Sequence, residues 1–236
     1  MKYKVVISYD GSKFHGFQRQ KDVRNVQSTI ENYLSKYFKE DIVIKGAGRT
    51  DAKVHANGQV ISFSTDKCIK ILKRDFNRDN NDIKIKNISQ VCEEFHPRFN
   101  AKEKEYLYKL DTTGKKDNNY FGYSYYKFDL KKMRDASKLF LGTHDFRNFT
   151  AGSRDDYVST IKKIRIYKLF GVIYFRFIGY GFYRYMVRNL VGALLLVGRG
   201  KIDDNIILDV LNTKEKRDNL STAKPEGLYL IKIKYN

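Results

Sequence analysis

One short segment of the sequence combines glycines, an arginine and a carboxylate in an arrangement that could do chemistry. It runs Gly-Ala-Gly-Arg-Thr-Asp-Ala-Lys-Val-His-Ala from Gly46 to Ala56. Its glycines follow neither of the nucleotide-loop patterns G-x-x-x-x-G-K-[ST] and G-x-G-x-x-G. In an extended chain Arg49 and Asp51 share a face, and the guanidinium keeps the carboxylate ionised near neutral pH, which suits a nucleophile or a base. Taken alone, the segment favours a surface turn with a local ion pair over a catalytic loop.

Two other segments combine aromatic with basic side chains. The sequence FHPRFNA at 95–101 precedes KEKEYLY at 102–108, and such interleaving can stack an unpaired base and hold its phosphate. Tyrosines packed on a sheet face are the alternative interpretation. The segment 179–192 is predicted to become helical from about residue 182, with Arg184 and Arg188 on one face, where they could hold a phosphate or a buried carboxylate. A core helix whose arginines extend to solvent is the alternative.

The remaining histidines and cysteines give weak signals. His144 and Asp145 are adjacent, but neighbours on a strand point to opposite faces, so we interpret them as a structural turn that could also contact RNA. Cys68 and Cys92 are isolated and form no C-x-x-C motif. We therefore expect no structural zinc and a reducing cytosol.

The charge of the chain indicates a polyanionic partner. Its 236 residues include 46 Lys and Arg against 27 Asp and Glu, a formal charge of +19, which attracts nucleic acid. An A/T-rich coding sequence, which enriches Lys, Asn and Tyr, is a second source of this charge. The longest apolar run, 190–197, is far shorter than the roughly 20 residues of a membrane span, and the N-terminus lacks the features of a secretory signal. We expect a cytoplasmic protein with no membrane partner.

Hydrophobic periodicity predicts strands and helices in both halves of the chain. Alternation predicts strands over 2–9, 59–63, 84–91, 105–110, 164–169, 172–178 and 228–235. Helical spacing predicts helices over 26–38, with Asn25 as N-cap, over 130–140 and over 182–197. Residues 112–125 are predicted to be a long surface loop. Two similar halves, joined near residues 100–105, predict an α+β protein with a mixed, mainly antiparallel sheet and flanking helices.

Taken in order, these segments resemble the TruA family of tRNA pseudouridine synthases. The resemblance covers nearly the whole chain and rests on YDGSKFHGFQRQ, VQSTIE, GAGRTDAKVHANGQVISF, FHPRFNAKEKEYLYKL, FLGTHDFRNFT, MVRNLVGALLLVGRG and TAKPEGLYL. The C-terminal motif, with Pro225 and no glycine before Ser221, departs from the family. So does Lys53, where the family motif R-T-D-A-G-V-H has glycine. Because lysine tolerates positive φ poorly, we expect a changed backbone angle there, with activity retained.

The resemblance implies a pseudouridine synthase-like α+β fold of two halves. Residues 1–103 would carry the catalytic loop, and residues 104–236 would complete the active-site cleft and form the dimer interface. Asp51 is implied to be the catalytic aspartate, and Arg49, Tyr106 and Arg188 are implied to be further catalytic residues. The resemblance also implies a set of RNA-binding residues, namely Lys13, Gln18, Arg19, His55, Arg98, Lys104 and Arg184.

The implied reaction is the isomerisation of uridine to pseudouridine in tRNA by a cytoplasmic homodimer, without cofactor or metal. The target would lie at about positions 38 to 40 of the anticodon stem loop and would be flipped into a pocket. The sequence leaves open whether Asp51 attacks C1′ or abstracts a proton from C2′. It also leaves open two other functions, an RNA-binding module without chemistry and a synthase acting on another RNA.

Overall fold

The structure, a computed structural model, describes residues 1–153, 155–213, 215 and 220–235. Its contacts divide the chain into two compact units. The first contains Met1–Lys102 together with Tyr229–Asn236, and the second contains Glu103–Leu228. The C-terminal strand therefore returns to the unit formed by the N-terminal part of the chain.

The first unit has a mainly antiparallel sheet covered by two helices. Its elements are β1 (Lys2–Tyr9), α1 (Val26–Phe38), β2 (Lys45–Gly46), β3 (His55–Ser64), α2 (Leu72–Asp79), β4 (Ile83–Val91) and β10 (Leu228–Lys234), the last from Tyr229 onward. The strand order is β4-β1-β3-β10. Strand β1 is antiparallel to β3 and β4, β2 is antiparallel to β3, and β10 is parallel to β3. The sheet is thus mixed, as predicted.

Alternating burial along β1 shows why this strand forms. Its side chains from Tyr3 to Tyr9 are buried at every second position, and the intervening ones are half-buried. Helix α1 begins where the Asn25 side chain accepts a hydrogen bond from the Ser28 N–H at 2.9 Å, an N-cap that satisfies a free backbone donor. The helix packs against β3, with the rings of Phe38 and Phe63 6.0 Å apart.

The strands of the second unit are mainly antiparallel. Its elements are β5 (Glu103–Asp111), β6 (Gly122–Tyr123), α3 (Leu130–Ser137), β7 (Gly142–Asp145), β8 (Val158–Leu169), β9 (Val172–Gly179), α4 (Met186–Gly198) and α5 (Asp204–Asn212). The strands β5, β9, β8 and β7 follow one another in that order with antiparallel neighbours, and β6 adds to β5 in parallel. Helix α4 is buried over most of its surface and forms the core of this unit.

The structure confirms the predicted fold class and corrects several boundaries. Helix α4 begins at Met186, because Tyr185 adopts a left-handed φ of 64° that interrupts a helix started earlier. Arg184 therefore precedes the helix, and the prediction that Arg184 and Arg188 share one helix face is wrong. The predicted helix over 130–140 is α3 followed by one 3-10 turn. Helices α2 and α5 were not predicted.

No helix in the described part of the chain combines the length and the apolar character that crossing a bilayer requires.

Candidate active site

The loop that carries Asp51 belongs to the first unit and is fixed by backbone hydrogen bonds on both sides of this residue. The Phe17 N–H donates to the Thr50 carbonyl at 3.0 Å, and the Lys53 N–H donates to the Phe14 carbonyl at 3.2 Å. A further bond of 3.2 Å joins the Val54 N–H to the Asp51 carbonyl and closes a tight turn. The Asp51 side chain is half-buried at this turn. The backbone that carries its carboxylate is therefore held in place on both sides.

A glycine explains why the segment after β1 can hold this loop. A Cβ atom on Gly11 would lie 2.2 Å from the Val54 carbonyl oxygen, so only glycine permits this approach of the two backbones. The Gly11 N–H also donates to Nδ1 of His55 at 3.0 Å. The segments around Asp10 and around Asp51 are far apart in the sequence, but they thus pack directly against each other.

Buried side chains support the loop from below. The Tyr9 hydroxyl lies 2.9 Å from the Thr50 hydroxyl, and burial raises the pKa of Tyr9 to about 12, so it stays neutral. The Gln59 amide donates to the Gly48 carbonyl at 3.0 Å. No local pattern in the sequence indicates these supporting residues, because a buried tyrosine on an alternating strand carries no sign of its hydrogen-bond partner.

His55 lies inside the first unit. Its side chain is only 2% exposed, and its ring stacks on Tyr229 with centroids 4.5 Å apart and planes 12° apart. Its Nδ1 accepts the Gly11 N–H, and the Asp10 carboxylate lies 3.4 Å away. In this position His55 supports the loop. The contact between His55 and RNA stays a prediction, and the side chain has almost no accessible surface for such a contact.

Lys53 adopts the left-handed conformation that we expected lysine to avoid. Its φ is 64°, in the region that favours glycine. The turn after Asp51 thus keeps a glycine-like backbone in spite of the lysine. The expected change of backbone angle is wrong, and strain at one residue takes its place.

Tyr106 and Arg188 belong to the second unit, whereas Asp51 and Arg49 belong to the first. Tyr106 lies on β5, is 8% exposed and packs edge-to-face on Phe182 at 5.2 Å. Arg188 lies in the first turn of α4, and its Nε donates to the Ala223 carbonyl at 2.7 Å. Both residues are therefore held by their own unit.

Three segments of the second unit meet at the start of α4. The Asn189 amide donates to the Phe149 carbonyl at 2.9 Å, and the Thr222 hydroxyl donates to the side-chain amide oxygen Oδ1 of Asn189 at 2.7 Å. A Cβ on Gly192 would lie 2.2 Å from the Ser221 carbonyl oxygen. The segment after residue 220 thus packs directly on the helix backbone and positions Arg188. In the sequence, Gly192 within the apolar run 190–197 is the feature that indicates this close contact.

The structure places most of the predicted RNA-binding side chains at the surface. Lys13, Gln18, Arg19, Arg98 and Arg184 are exposed, and Lys104 is half-buried at the start of β5. Arg19 pairs with buried Glu31, its Nε lying 3.1 Å from Oε2. The Arg184 guanidinium lies 5.2 Å from the centre of the Tyr185 ring, and that of Arg188 lies 4.6 Å from it. Two cations thus share one aromatic ring.

His144 and Asp145 form separate local contacts and no catalytic pair. Nε2 of His144 lies 2.8 Å from the Leu141 carbonyl, and Asp145 accepts from Nε of Arg147 at 2.9 Å. Within the described residues, no cluster of three or more His, Cys, Asp or Glu side chains could hold a metal ion. Both cysteines are free thiols at the surface.

Comparison with known proteins gives one consistent result. A family model described as "tRNA pseudouridine synthase" matches residues 5–100 and 136–236. The chain is 39% identical to a "tRNA pseudouridine synthase A" of Pseudothermotoga lettingae over 99% of both chains. It is 40% identical to that of a Thermotoga species over 97% of both, and 36% identical to that of an Exiguobacterium species over 98% of this chain and 97% of the relative.

Proposed function

Because the chain belongs to the tRNA pseudouridine synthase family, we propose that it isomerises uridine to pseudouridine in tRNA. The observation that carries this proposal is identity of 39% over 99% of both chains with a tRNA pseudouridine synthase A. We further propose that the target lies at about positions 38 to 40 of the anticodon stem loop and is flipped into the active site.

The reaction rearranges bonds within one nucleotide. The N1–C1′ bond of uridine breaks, the uracil turns and a C5–C1′ bond forms, while the proton lost from C5 is balanced by one gained at N1. Atoms and electrons balance within the nucleotide, so the step needs no oxidant and no second carboxylate to activate water, unlike glycoside hydrolysis. One ionised aspartate in a site that keeps water out is sufficient.

Asp51 is the proposed catalytic carboxylate. Its half-buried side chain sits on a turn fixed by hydrogen bonds from Phe17 and Lys53, which supports the positional accuracy that covalent or proton-transfer chemistry requires. It either attacks C1′ or removes a proton from C2′. Arg49, which is exposed two residues earlier, would steer the RNA phosphate or fill the space left by the flipped base.

Tyr106 and Arg188 are proposed to complete the catalytic group. Tyr106 has a rigid ring position against Phe182, which suits stacking on the uracil or transferring the proton at C5. Arg188 would hold the aspartate in its ionised form. The bond from its Nε to Ala223 fixes the guanidinium, which supports a positioning function.

The proposed substrate complex uses the surface cations and a second copy of the chain. Lys13, Gln18, Arg19, Arg98, Lys104 and Arg184 would contact the tRNA, and His55 would act through the Asp51 loop. We propose a cytoplasmic homodimer, which light scattering would detect as a mass twice the 27.8 kDa of one chain.

The deciding experiment compares wild type with Asp51→Asn on an unmodified tRNA transcript. Pseudouridine is mapped by carbodiimide primer extension, and RNA binding is titrated in parallel. We expect Asp51→Asn to bind the transcript but to lose activity by about 10³-fold or more, since the amide is neither a nucleophile nor a base. Asp22→Asn, an exposed acid of the same unit, is the matched control and should retain activity.

Two results would contradict the proposal. If wild type binds tRNA and converts no uridine in any transcript, the chain is an RNA-binding module without chemistry. If Asp51→Asn and wild type convert uridine at equal rates, another residue carries the reaction.

A further inference from the structure

The first unit contains a cavity at the end of β1 remote from the Asp51 loop. The loop contacts Tyr9 at one end of β1, whereas the cavity is lined by Lys4, five residues away and so about 17 Å along the strand. Cys92, Phe95, Asn100, Lys102 and Tyr235 line the rest of it. Its volume is about 320 Å³, at the lower end of the range for small-ligand sites. We call it the Lys4 cavity.

Two aromatic rings form a corner of the Lys4 cavity. Phe95 and Tyr235 have ring centroids 5.3 Å apart and planes inclined by 56°. The Tyr235 hydroxyl donates to the Pro97 carbonyl at 2.7 Å, which fixes the ring. The Lys4 ammonium lies 5.9 Å from the centre of the Phe95 ring and 5.5 Å from that of Tyr235. The corner is therefore held in place before any ligand arrives.

Positive charge surrounds this aromatic corner. Lys4 and Lys102 both line the cavity, and within residues 1–153, 155–213, 215 and 220–235 neither amine forms an ion pair. The backbone of Lys102 is anchored by a bond of 2.9 Å to the Lys234 carbonyl. Burial lowers the pKa of nearby His96, and the charges of Lys45, Lys2 and Arg98 lower it further. Lys4 and Lys102 thus supply two positive charges to the cavity wall, and the segment between Cys92 and Phe95 carries two acids, Glu93 and Glu94.

We propose that the Lys4 cavity binds one unpaired nucleotide of the RNA substrate, outside the catalytic site. The base stacks on Phe95, the inclined Tyr235 ring meets its edge together with the Asn100 amide, and Lys4 and Lys102 hold its phosphate. Aromatic rings flanked by cations are the combination that single-stranded RNA requires. The volume suits one base, and the net charge of +19 favours a polyanion over a free nucleotide. That this RNA is tRNA rests on the proposed function.

The two cysteines of the chain make the proposal testable without engineering. Both are exposed thiols in the first unit; Cys92 lines the Lys4 cavity and Cys68 does not. Alkylation of each thiol by a maleimide is followed by mass spectrometry, with and without an unmodified tRNA transcript. We expect tRNA to slow the alkylation of Cys92 at least tenfold and to leave that of Cys68 unchanged.

Variants link the protection to the cavity. Phe95→Leu keeps an apolar side chain and removes the ring, and we expect it to weaken tRNA binding about tenfold and to abolish the protection of Cys92. Lys102→Gln, an exposed change that spares the fold, should lower the salt dependence of binding by about one phosphate contact. Lys70→Gln removes one charge beside Cys68 and should leave Cys92 protected.

Several results would overturn the proposal. They are equal protection of both thiols, no protection of Cys92, and protection that survives Phe95→Leu and Lys102→Gln together. Protection by uridine monophosphate but not by tRNA would identify a free-nucleotide site instead. Failure of this proposal can be distinguished from failure of the proposed function. Conversion of uridine without protection of Cys92 would reject the cavity alone, and protection without conversion would reject the synthase alone.

Discussion

At the scale of single residues, the Asp51 turn combines a fixed backbone with one strained position. The turn is held by bonds to Phe14 and Phe17, and Lys53 within it has a φ of 64°. A left-handed conformation costs a residue with a Cβ about 1–2 kcal/mol. The surrounding hydrogen bonds therefore stabilise the turn strongly enough to impose this conformation on a lysine.

Lys53→Gly should relieve this strain. Glycine adopts positive φ without steric cost, and the gain is offset in part by the greater entropy of glycine in the unfolded chain. We expect the free energy of unfolding to rise by about 0.5–1 kcal/mol, measured by urea denaturation, with a rise of a few degrees in Tm.

Lys53→Ala separates the backbone effect from the charge of the side chain. Alanine removes the ammonium but keeps the Cβ, so we expect no gain in stability. An equal gain in both variants would show that repulsion between the lysine and other cations, and not the left-handed backbone, destabilises the wild-type turn.

At the scale of elements, a buried carboxylate organises the loop after β5. Asp111 accepts hydrogen bonds from the N–H and hydroxyl of Thr113, at 2.9 and 2.7 Å, and from the N–H of Lys116 at 3.1 Å. Burial acts to raise the pKa of Asp111, but these bonds outweigh it and hold the pKa below its ordinary value. The long loop thus has a defined start in spite of its polar sequence.

Asp111→Asn should destabilise the protein in a pH-dependent manner. The variant places an amide NH₂ where the second carboxylate oxygen accepts from Lys116, at a cost of about 1–3 kcal/mol. Because the folded-state pKa is lowered, the contribution of Asp111 is fully present above about pH 4 and is lost as the pH falls through that lowered pKa. The gap in unfolding free energy between wild type and variant, measured in urea from pH 7 to pH 3, should therefore narrow with acidification. A gap that is constant over this range would show that the ionised carboxylate is not what the loop requires.

The packing of α4 on the segment after residue 220 predicts a contrast between two glycines of one helix. In Gly192→Ala the new methyl group would meet the Ser221 backbone at 2.2 Å, so the segment must move. We expect a loss of at least about 2 kcal/mol in stability and a fall in activity, because Arg188 is bonded to Ala223 in the same segment.

Gly198→Ala is the matched control for this contact. Its methyl group would meet Cγ and Sδ of the buried Met133 side chain at 2.7 Å, and no backbone atom, so a thioether must shift but no chain segment is displaced. Alanine favours a helix by about 1 kcal/mol, which offsets part of this cost. We expect a smaller loss of stability than in Gly192→Ala, and full activity. Equal damage in both variants, measured by urea denaturation and by uridine conversion, would show that helix α4 tolerates no added volume anywhere.

Local pattern predicted the elements that carry their own periodicity. Strand β1 alternates, α1 has an Asn25 cap, and both were predicted with the bounds that the structure shows. Helix α2 was missed because its surface is highly charged, and the start of α4 was misplaced because Tyr185 takes a left-handed conformation. The Asp51 loop was identified by resemblance, whereas its support by Gly11 and Tyr9 depends on contacts between distant segments, which periodicity does not encode.

At the scale of the whole molecule, the net charge of +19 has two competing explanations, RNA binding and coding bias. They differ in salt dependence, because cations that contact phosphates release counterions from the RNA. If the surface charge serves binding, the protein contacts about six or more phosphates. Raising the salt from 50 to 200 mM then weakens the affinity for tRNA about 10³-fold or more. Titrating Asp51→Asn with a tRNA transcript across this range measures the slope without turnover. A slope equivalent to one or two phosphates would mean that most of the lysines serve solubility or reflect codon usage, and that recognition rests on shape and stacking.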